Sequence, residues 1–174
     1  KEVTTPLGIK AWLVEDHSIP VLTLSFSIAG GAALEPENQK GVTSLMAQLM
    51  TDGAGNLPAQ AFRKREELRL ALTAPRFDAD MIEQRRAQFI ASLNQASQRP
   101  QTVASRTLMG AVFANHPYSR DSEGLRETLK TLAADDIRKR WSALVDRSGL
   151  VIAAVGDISE ADLVRALDKV FGGL

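Results

Sequence analysis

Alternating apolar and polar residues predict two strands near the start of the chain. The segment from Gly8 to Val14 reads as a short strand, and the turn-like Glu15-Asp16-His17-Ser18 follows it. From Val21 to Ile28 the alternation is strict, which predicts a half-buried strand that ends at Gly30-Gly31. Its expected inner face carries Leu22, Leu24, Phe26 and Ile28, and its outer face carries Thr23, Ser25 and Ser27.

Apolar residues at helical spacing predict helices through the middle of the chain. The first helix is expected from about Gln39 to Asp52, with a core-facing stripe made of Val42, Leu45, Met46, Leu49 and Met50. A second helix is expected to begin near Pro58 and to continue to Leu72. A long helix is expected from the N-cap Asp78 to about Gln98, with inner positions Ile82, Phe89, Leu93 and Ala96.

The C-terminal part alternates helices with one apolar run. A helix from roughly Thr102 to Ala114 is expected to turn inward the residues Ala104, Leu108, Ala111 and Val112. Leu150 to Val155 has the length of a buried strand, and Ser159 with Asp162 resembles a capping box at the start of a last helix. Strands early and late with helices between them predict an α+β fold in two layers.

Composition narrows the class of protein. With 174 residues and 44% hydrophobic residues, the chain is expected to be one soluble globular domain. Lys plus Arg and Asp plus Glu both number 21, which argues against nucleic acid and anionic membranes as partners. No apolar run reaches membrane-spanning length, and no secretory signal is visible. The missing initial Met suggests a processed or trimmed chain, so the bacterial periplasm and the cytoplasm both stay open.

The absence of cysteine excludes several kinds of site in this chain. A disulfide framework, a thiolate metal site and a cysteine nucleophile all need thiols, and the sequence has none. Any catalytic site must therefore use other groups.

Two sets of stretches, in this order, resemble a known family. The opening set is Ile9 to Val14, Leu22 to Ala29, Gly30-Gly31, Glu35-Pro36 and Gly41. The closing set is Phe113, His116-Pro117-Tyr118, Gly124, the helix around Ile137, and Ala153 to Asp157. Together they resemble the pitrilysin/insulinase family of zinc peptidases, in the branch that includes the mitochondrial processing peptidase. The resemblance implies a mostly antiparallel sheet packed against helices, with residues 1–174 as an N-terminal peptidase-like domain and a homologous second domain absent from this chain.

Active members of that family carry His-x-x-Glu-His on the helix after the glycine. The two histidines project from one helix face and bind Zn²⁺, the glutamate between them is the general base, and a distant glutamate completes the site. The resemblance places Ser44 and Gln48 at the histidine positions, Ala47 at the base and Ser92 at the distal ligand. Hydroxyl, amide and methyl groups are poor substitutes for imidazole and carboxylate around zinc. We therefore expect no catalytic residue, metal or cofactor in this chain.

The function implied by the resemblance is a non-catalytic subunit. It would pair with an active zinc-bearing homologue, form part of a chamber that degrades or processes peptides, and be inactive alone. One alternative is a purely structural subunit, like the core proteins of the respiratory bc1 complex. A further alternative is an active zinc metalloendopeptidase with an unusual site.

Other candidate residues have simpler interpretations. His17 is expected to face solvent and His116 to brace a loop, because a zinc site needs more ligands than two histidines in separate turns. Gly30-Gly31 lacks the following lysine of a phosphate-binding loop, and Ser44 has no visible base that would make it a nucleophile.

Charged and aromatic residues leave some alternatives open. The run Glu83-Gln84-Arg85-Arg86 either covers a solvated helix face or contacts a partner domain. Trp141 is expected in the core. Trp12 could pack or could stack against a ligand.

A segment is expected to be missing near residues 63–68. In the family, two further strands separate the helix around Ala61 and Phe62 from the helix that ends like Leu68 to Thr73. Here Arg65 is followed directly by Glu66. That leaves no room for a hairpin, which needs roughly a dozen residues or more.

Overall fold

The fold is α+β, with a mostly antiparallel sheet, as predicted. A computed structural model describes residues 1–60, 68–121 and 123–174. Among these residues the strands are β1 (Glu2–Thr4), β2 (Lys10–Glu15), β3 (Leu22–Ile28), β4 (Gly53–Ala54), β5 (Leu57–Pro58) and β6 (Leu150–Gly156). The helices are α1 (Val42–Leu49), α2 (Leu68–Thr73), α3 (Ala79–Ala96), α4 (Pro100–Val112), α5 (Arg126–Thr131), α6 (Ala134–Leu144) and α7 (Glu160–Phe171). Short 3-10 helices cover Gly31–Leu34, Glu37–Gln39 and Pro117–Ser119.

Four strands form the main sheet in the order β1-β2-β6-β3, and β4 pairs with β5 in a separate small hairpin. The central pair β2 and β6 is parallel, whereas β1 and β3 are antiparallel to their neighbours. One face is turned to the core, where Ala11, Leu13, Ile152 and Ala154 are buried and Leu24, Phe26 and Ile28 are half-buried. Leu22 was expected on this face but is 44% exposed, because it lies at the end of the sheet.

Helices α1, α6 and α7 cover the inner face of the sheet. Their buried side chains join the sheet residues in one hydrophobic core, to which they contribute Val42, Leu45, Met46, Leu49, Ile137, Leu163, Leu167 and Phe171. The rings of Phe26 and Phe171 meet edge to face, with centroids 5.4 Å apart. The predicted apolar stripe of α1 is thus confirmed. None of the helices in the described ranges has the length and apolarity that crossing a membrane requires.

A buried carboxylate defines the start of α1. Glu35 is 4% exposed, and its two oxygens accept hydrogen bonds from the backbone N–H groups of Gly41 and Thr43, each over 2.8 Å. A negative charge at this end of the helix complements the helix dipole. The helix begins at Val42 rather than near Gln39, because Glu37–Gln39 forms a 3-10 turn before it.

The face of α4 that was predicted to be buried is exposed, so that prediction is wrong. Leu108 and Val112 are each 61% exposed, whereas the opposite side, with Arg106 and Met109, is half-buried. On that half-buried side, Arg106 binds the carboxylate of Asp121 over 2.5 Å. The helical periodicity correctly identified an apolar stripe on α4. It did not show which side of the helix packs against the rest of the protein.

The predicted helix starts and N-caps are only partly confirmed. Asp78 occupies the N-cap of α3, but its carboxylate accepts from Arg76 Nε over 2.8 Å instead of capping the backbone. Ser159 caps α7 as expected, because its Oγ accepts from the backbone of Asp162 over 3.2 Å. Pro58 ends β5, and Ala59 and Gln60 directly after it are helical, so a helix begins near Pro58 as predicted. The rest of that predicted helix, and the expected gap near 63–68, fall mainly on residues 61–67, outside the described residues.

The two tryptophans have different environments. Trp141 packs partly buried against the core and donates from Nε1 to the carbonyl of Leu72 over 3.3 Å, which confirms its predicted place. Trp12 is 58% exposed on the outer face of the sheet.

The contact between Gly41 and Gly124 yields a stability prediction. Gly124 has φ +81°, and a Cβ there would lie 2.4 Å from Gly41 Cα. We expect Gly124→Ala to lower the free energy of unfolding by about 2–4 kcal/mol, from overpacking and left-handed strain. Gly110→Ala is the matched control, since a Cβ there meets nothing within 4 Å and lies inside α4. It should stabilise the protein by about 0.5–1 kcal/mol. Urea unfolding measures both, and similar values for the two variants would contradict this packing.

Candidate functional site

Helices α1 and α3 pack side by side and run in opposite directions. Asp52, just beyond the end of α1, contacts Arg85 in the first half of α3. Lys40, just before α1, lines a cleft together with Leu93 and Asn94 near the end of α3. These contacts fix which residues of the two helices lie at the same level.

An ion pair joins the two helices at one end. The Asp52 side chain is buried, with 1% exposed, and the Arg85 side chain is 28% exposed. Arg85 donates from Nη2 to Oδ1 of Asp52 over 2.7 Å, and its Nε donates to the other carboxylate oxygen. A bidentate contact fixes both the distance and the orientation of the two groups. The pair therefore determines how α3 lies along α1.

Three of the four predicted site positions are aligned by this packing. Ser44 and Gln48 lie eight and four residues before Asp52, on the same side of α1. Ser92 lies seven residues after Arg85, about two helical turns along the same face of α3. Because the helices are antiparallel, we expect Ser92 to lie near the level of Ser44. We refer to the strip along the contact between α1 and α3 that carries these positions as the α1–α3 groove.

The side chains at the four predicted positions range from half-buried to exposed. Ala47 and Ser92 are exposed, and Ser44 and Gln48 are half-buried. The apolar stripe of α1 lies on the opposite side of the helix and is buried. The predicted orientation of α1 is therefore confirmed, whereas the equivalence of these positions to metal ligands remains a prediction.

The chemistry of this groove does not suit a divalent metal. Zinc in proteins is bound by imidazole, thiolate or carboxylate. The predicted positions offer two hydroxyls, a carboxamide and a methyl group. Within residues 1–60, 68–121 and 123–174, no three His, Cys, Asp or Glu side chains are grouped so that they could hold a metal ion. The four predicted positions therefore offer no imidazole, thiolate or carboxylate.

The charged run on α3 does not simply cover a solvated face, as one interpretation held. Glu83 and Gln84 are exposed, but Arg85 and Arg86 are half-buried. Arg86 donates to the carbonyls of Lys130 and Leu132, over 2.7 and 2.6 Å, and so joins α3 to α5. Sequence reasoning missed the partner of Arg85. One feature of the sequence could have indicated it. Asp52 follows the C-terminus of an apolar helix, where the helix dipole disfavours negative charge, so a cationic partner was to be expected.

The two histidines have separate local roles. His116 accepts a hydrogen bond from the backbone N–H of Tyr118 over 3.2 Å and packs edge to face on its ring, which confirms that it braces a loop. His17 is exposed and lies 2.6 Å from a carboxylate oxygen of Asp157. That hydrogen bond raises the pKa of His17 above its ordinary value.

A cleft of about 560 Å³ opens beside the end of α3. Its cationic side chains are already paired. Arg106 binds Asp121 over 2.5 Å, and both Lys40 and Arg120 bind Glu37, over 2.6 and 2.8 Å. A charged ligand would have to displace these ion pairs, so we assign no ligand to this cleft.

Known proteins share the fold of this chain. No family model matches it. Over 187 positions it is 22% identical to the non-peptidase homolog YmxG of Helicobacter pylori, covering 89% of this chain and 43% of that protein. The inactive domain of a peptidase M16 from Pseudomonas fluorescens superimposes with a TM-score of 0.90 at 22% identity, over 100% of this chain and 50% of that one. Pitrilysin superimposes with a TM-score of 0.78 at 16% identity, over 97% of this chain and 22% of that one.

These matches confirm, at the level of the fold, the resemblance predicted from the sequence. The chain has the fold of peptidase M16 and pitrilysin domains. It spans about half the length of the H. pylori relative and of the P. fluorescens structure.

Removal of Arg85 tests the ion pair. Arg85→Met takes two hydrogen bonds from the buried carboxylate of Asp52, and we expect the free energy of unfolding to fall by about 2–3 kcal/mol. Arg165→Met is the control, because Arg165 pairs with Asp162 on an exposed surface and should matter far less. Chemical denaturation measures both variants. A loss no larger for Arg85→Met than for the control would contradict the role assigned to the pair.

The His17–Asp157 contact predicts a pH effect. Because the folded-state pKa of His17 is raised, the contact stabilises the fold fully below the ordinary histidine pKa of about 6.5 and fades as the pH rises through the folded-state value. Asp157→Asn should move the His17 pKa down toward that ordinary value, as NMR titration would show. Asp16→Asn should move it less, since Asp16 acts only through its charge. An unchanged His17 titration in Asp157→Asn would refute the contact.

Proposed function

We propose that this chain, which has the fold of peptidase M16 domains, is the N-terminal part of a non-catalytic subunit. In this proposal it pairs with an active, zinc-bearing homologue, and the two enclose a chamber in which peptides are degraded or processed. The bacterial periplasm or cytoplasm would be its location.

The groove between α1 and α3 is the observation that carries the proposal. The helices keep an ordered antiparallel contact, but Ser44, Ala47, Gln48 and Ser92 supply no group that binds zinc or accepts a proton from water at neutral pH. Such a surface can shape a chamber wall but cannot itself catalyse metal-dependent hydrolysis. The names of two similar proteins, a non-peptidase homolog and an inactive domain, support this interpretation.

The ion pair explains how the groove can persist without a metal. A zinc ion bound by two helices would hold them together, and the Asp52–Arg85 pair joins the same two helices through the protein alone. The glutamate cap at the start of α1 fixes its other end. The framework of the site is therefore held by contacts that do not depend on a ligand.

Peptide contact in this proposal would use a sheet edge. The β3 strand is an edge of the main sheet, since among the described strands it pairs only with β6. An extended peptide can add to such an edge through main-chain hydrogen bonds. This would let a subunit without catalytic groups help to hold the substrate.

Peptide hydrolysis by mixed subunits tests the proposal. The full-length protein, a His-x-x-Glu-His homologue encoded near it, and their mixture are assayed on the same unstructured peptides. We expect no hydrolysis by this protein alone and at least about tenfold more in the mixture than with the homologue alone. Replacing the motif glutamate of the homologue by glutamine should abolish activity. Gln48→Ala in this chain should leave it unchanged.

Two other outcomes would favour the alternative functions, an active peptidase or a purely structural subunit. Hydrolysis by this protein alone, lost in Gln48→Ala, would identify an active peptidase with an unusual site. Stable pairing that leaves hydrolysis unchanged would identify a purely structural subunit.

A further inference from the structure

The free edge of β3 presents the main-chain groups of every second residue. Strand β3 bonds to β6 through its odd-numbered residues and their neighbours in the same series, since the N–H of Ala29 donates to the carbonyl of Gly149 over 2.9 Å. Hydrogen bonding alternates along an antiparallel strand, so the even-numbered residues from Leu22 to Ile28 turn their main-chain groups to the other side. None of the described strands pairs with β3 on that side.

Leu34 lies beside the point where this edge ends. It closes the 3-10 helix Gly31–Leu34, and it is 66% exposed, the largest exposed fraction of any large apolar residue in the described ranges. A Cβ on Gly30 would lie 3.4 Å from Leu34 Cδ1 and 2.6 Å from Leu144 Cδ1. The two leucines therefore flank Gly30. Because Leu144 belongs to α6, which covers the inner face of the sheet, they extend the apolar inner face of β3 beyond Ile28.

An arginine holds the segment that carries Leu34. Arg140 of α6 donates to the carbonyls of Gly31 and Leu34, over 2.6 and 3.4 Å. Its Nε donates to Oγ1 of Thr43, in the first turn of α1, over 2.9 Å. No residue of the 3-10 helix is buried, so these hydrogen bonds hold its main chain where burial does not. A contact residue on a fixed main chain loses less conformational freedom when a ligand binds.

We propose that Leu34 is a specificity-determining residue of the peptide site and contacts an apolar side chain of the bound peptide. This inference deepens the proposed function and rests on it, because it takes the peptide to add to the β3 edge. Directly opposite residues of neighbouring strands turn their side chains to the same face. The peptide residue opposite Ile28 therefore points to the inner face, and the next inward side chain, two residues along, meets Leu34 and Leu144 beside Gly30.

The surroundings of this position favour a large apolar group. A branched or aromatic side chain that covers Leu34 removes apolar surface from water. A lysine or glutamate would lose hydration without gaining a partner, since the guanidinium of Arg140 is already engaged by two carbonyls and a hydroxyl. The substrate class is therefore an extended peptide segment with a large apolar residue at one position.

Peptide binding to a charged variant tests the proposal. The full-length protein is mixed with the homologue whose motif glutamate is replaced by glutamine, so that peptides bind without being cleaved. Fluorescent peptides of Ser, Thr and Gln carry one central Leu or one central Lys, and anisotropy gives the Kd of each. Leu34→Glu should shift the ratio of the two Kd values at least about fivefold toward the Lys peptide, because it replaces an apolar contact by a carboxylate. Leu34→Met should leave the ratio unchanged.

Leu108→Glu is the matched control. It changes the net charge equally at a leucine that is 61% exposed on α4, and its ratio should equal that of the unsubstituted protein. An unchanged ratio in Leu34→Glu, an equal shift in Leu108→Glu, or no binding of either peptide would overturn the proposal. A shift confined to Leu34→Glu, in a mixture that hydrolyses peptides no faster than the homologue alone, would support this inference and count against the proposed function.

Thiol labelling tests whether a peptide, and not a protein surface, covers Leu34. This sequence has no cysteine, and mass spectrometry assigns the label to thiols introduced by Leu34→Cys and Leu108→Cys. In the mixture without peptide both positions should react with maleimide at similar rates, and saturating Leu peptide should slow the reaction only at position 34. Protection of position 34 without peptide would show that the rest of the subunit or the homologue covers it, and would overturn the proposal.

Discussion

The antiparallel contact between α1 and α3, held by the buried Asp52–Arg85 pair, is the constraint on which the rest of the structure depends. Helix α1 also carries four of the buried core residues and is fixed at its start by Glu35. One face of α1 therefore packs in the core. Its other face lies beside α3, and the ion pair fixes the position of α3 along the axis of α1. The core contacts of α1 therefore do not depend on which groups its second face carries.

Sequence reasoning identified the elements whose patterns are determined by their own core contacts. The alternation of β3 and the stripes of α1 and α3 were predicted because burial on one side imposes a period on the residues. The predictions that failed are those that depend on contacts with other elements of the fold. An apolar stripe on α4 was found but wrongly expected to be buried, because the sequence does not show which side of the helix contacts the rest of the protein. The Asp52–Arg85 pair joins residues 33 positions apart, and no local pattern connects them.

The predicted site positions were obtained from a resemblance to a family, because their spacing alone does not identify a site. Ser44, Ala47, Gln48 and Ser92 form no motif by themselves. Physical reasoning contributed the orientation of α1 and the judgement that these groups cannot hold zinc.

Zinc content is the most direct measurement of the central claim that the α1–α3 groove binds no catalytic metal. The purified full-length protein is dialysed against zinc and then against metal-free buffer, and its zinc is determined by mass spectrometry. The account predicts far less than one zinc ion per chain, with no change in the variants Ser44→Ala and Gln48→Ala. One tightly held zinc ion per chain, lost in either variant, would contradict it.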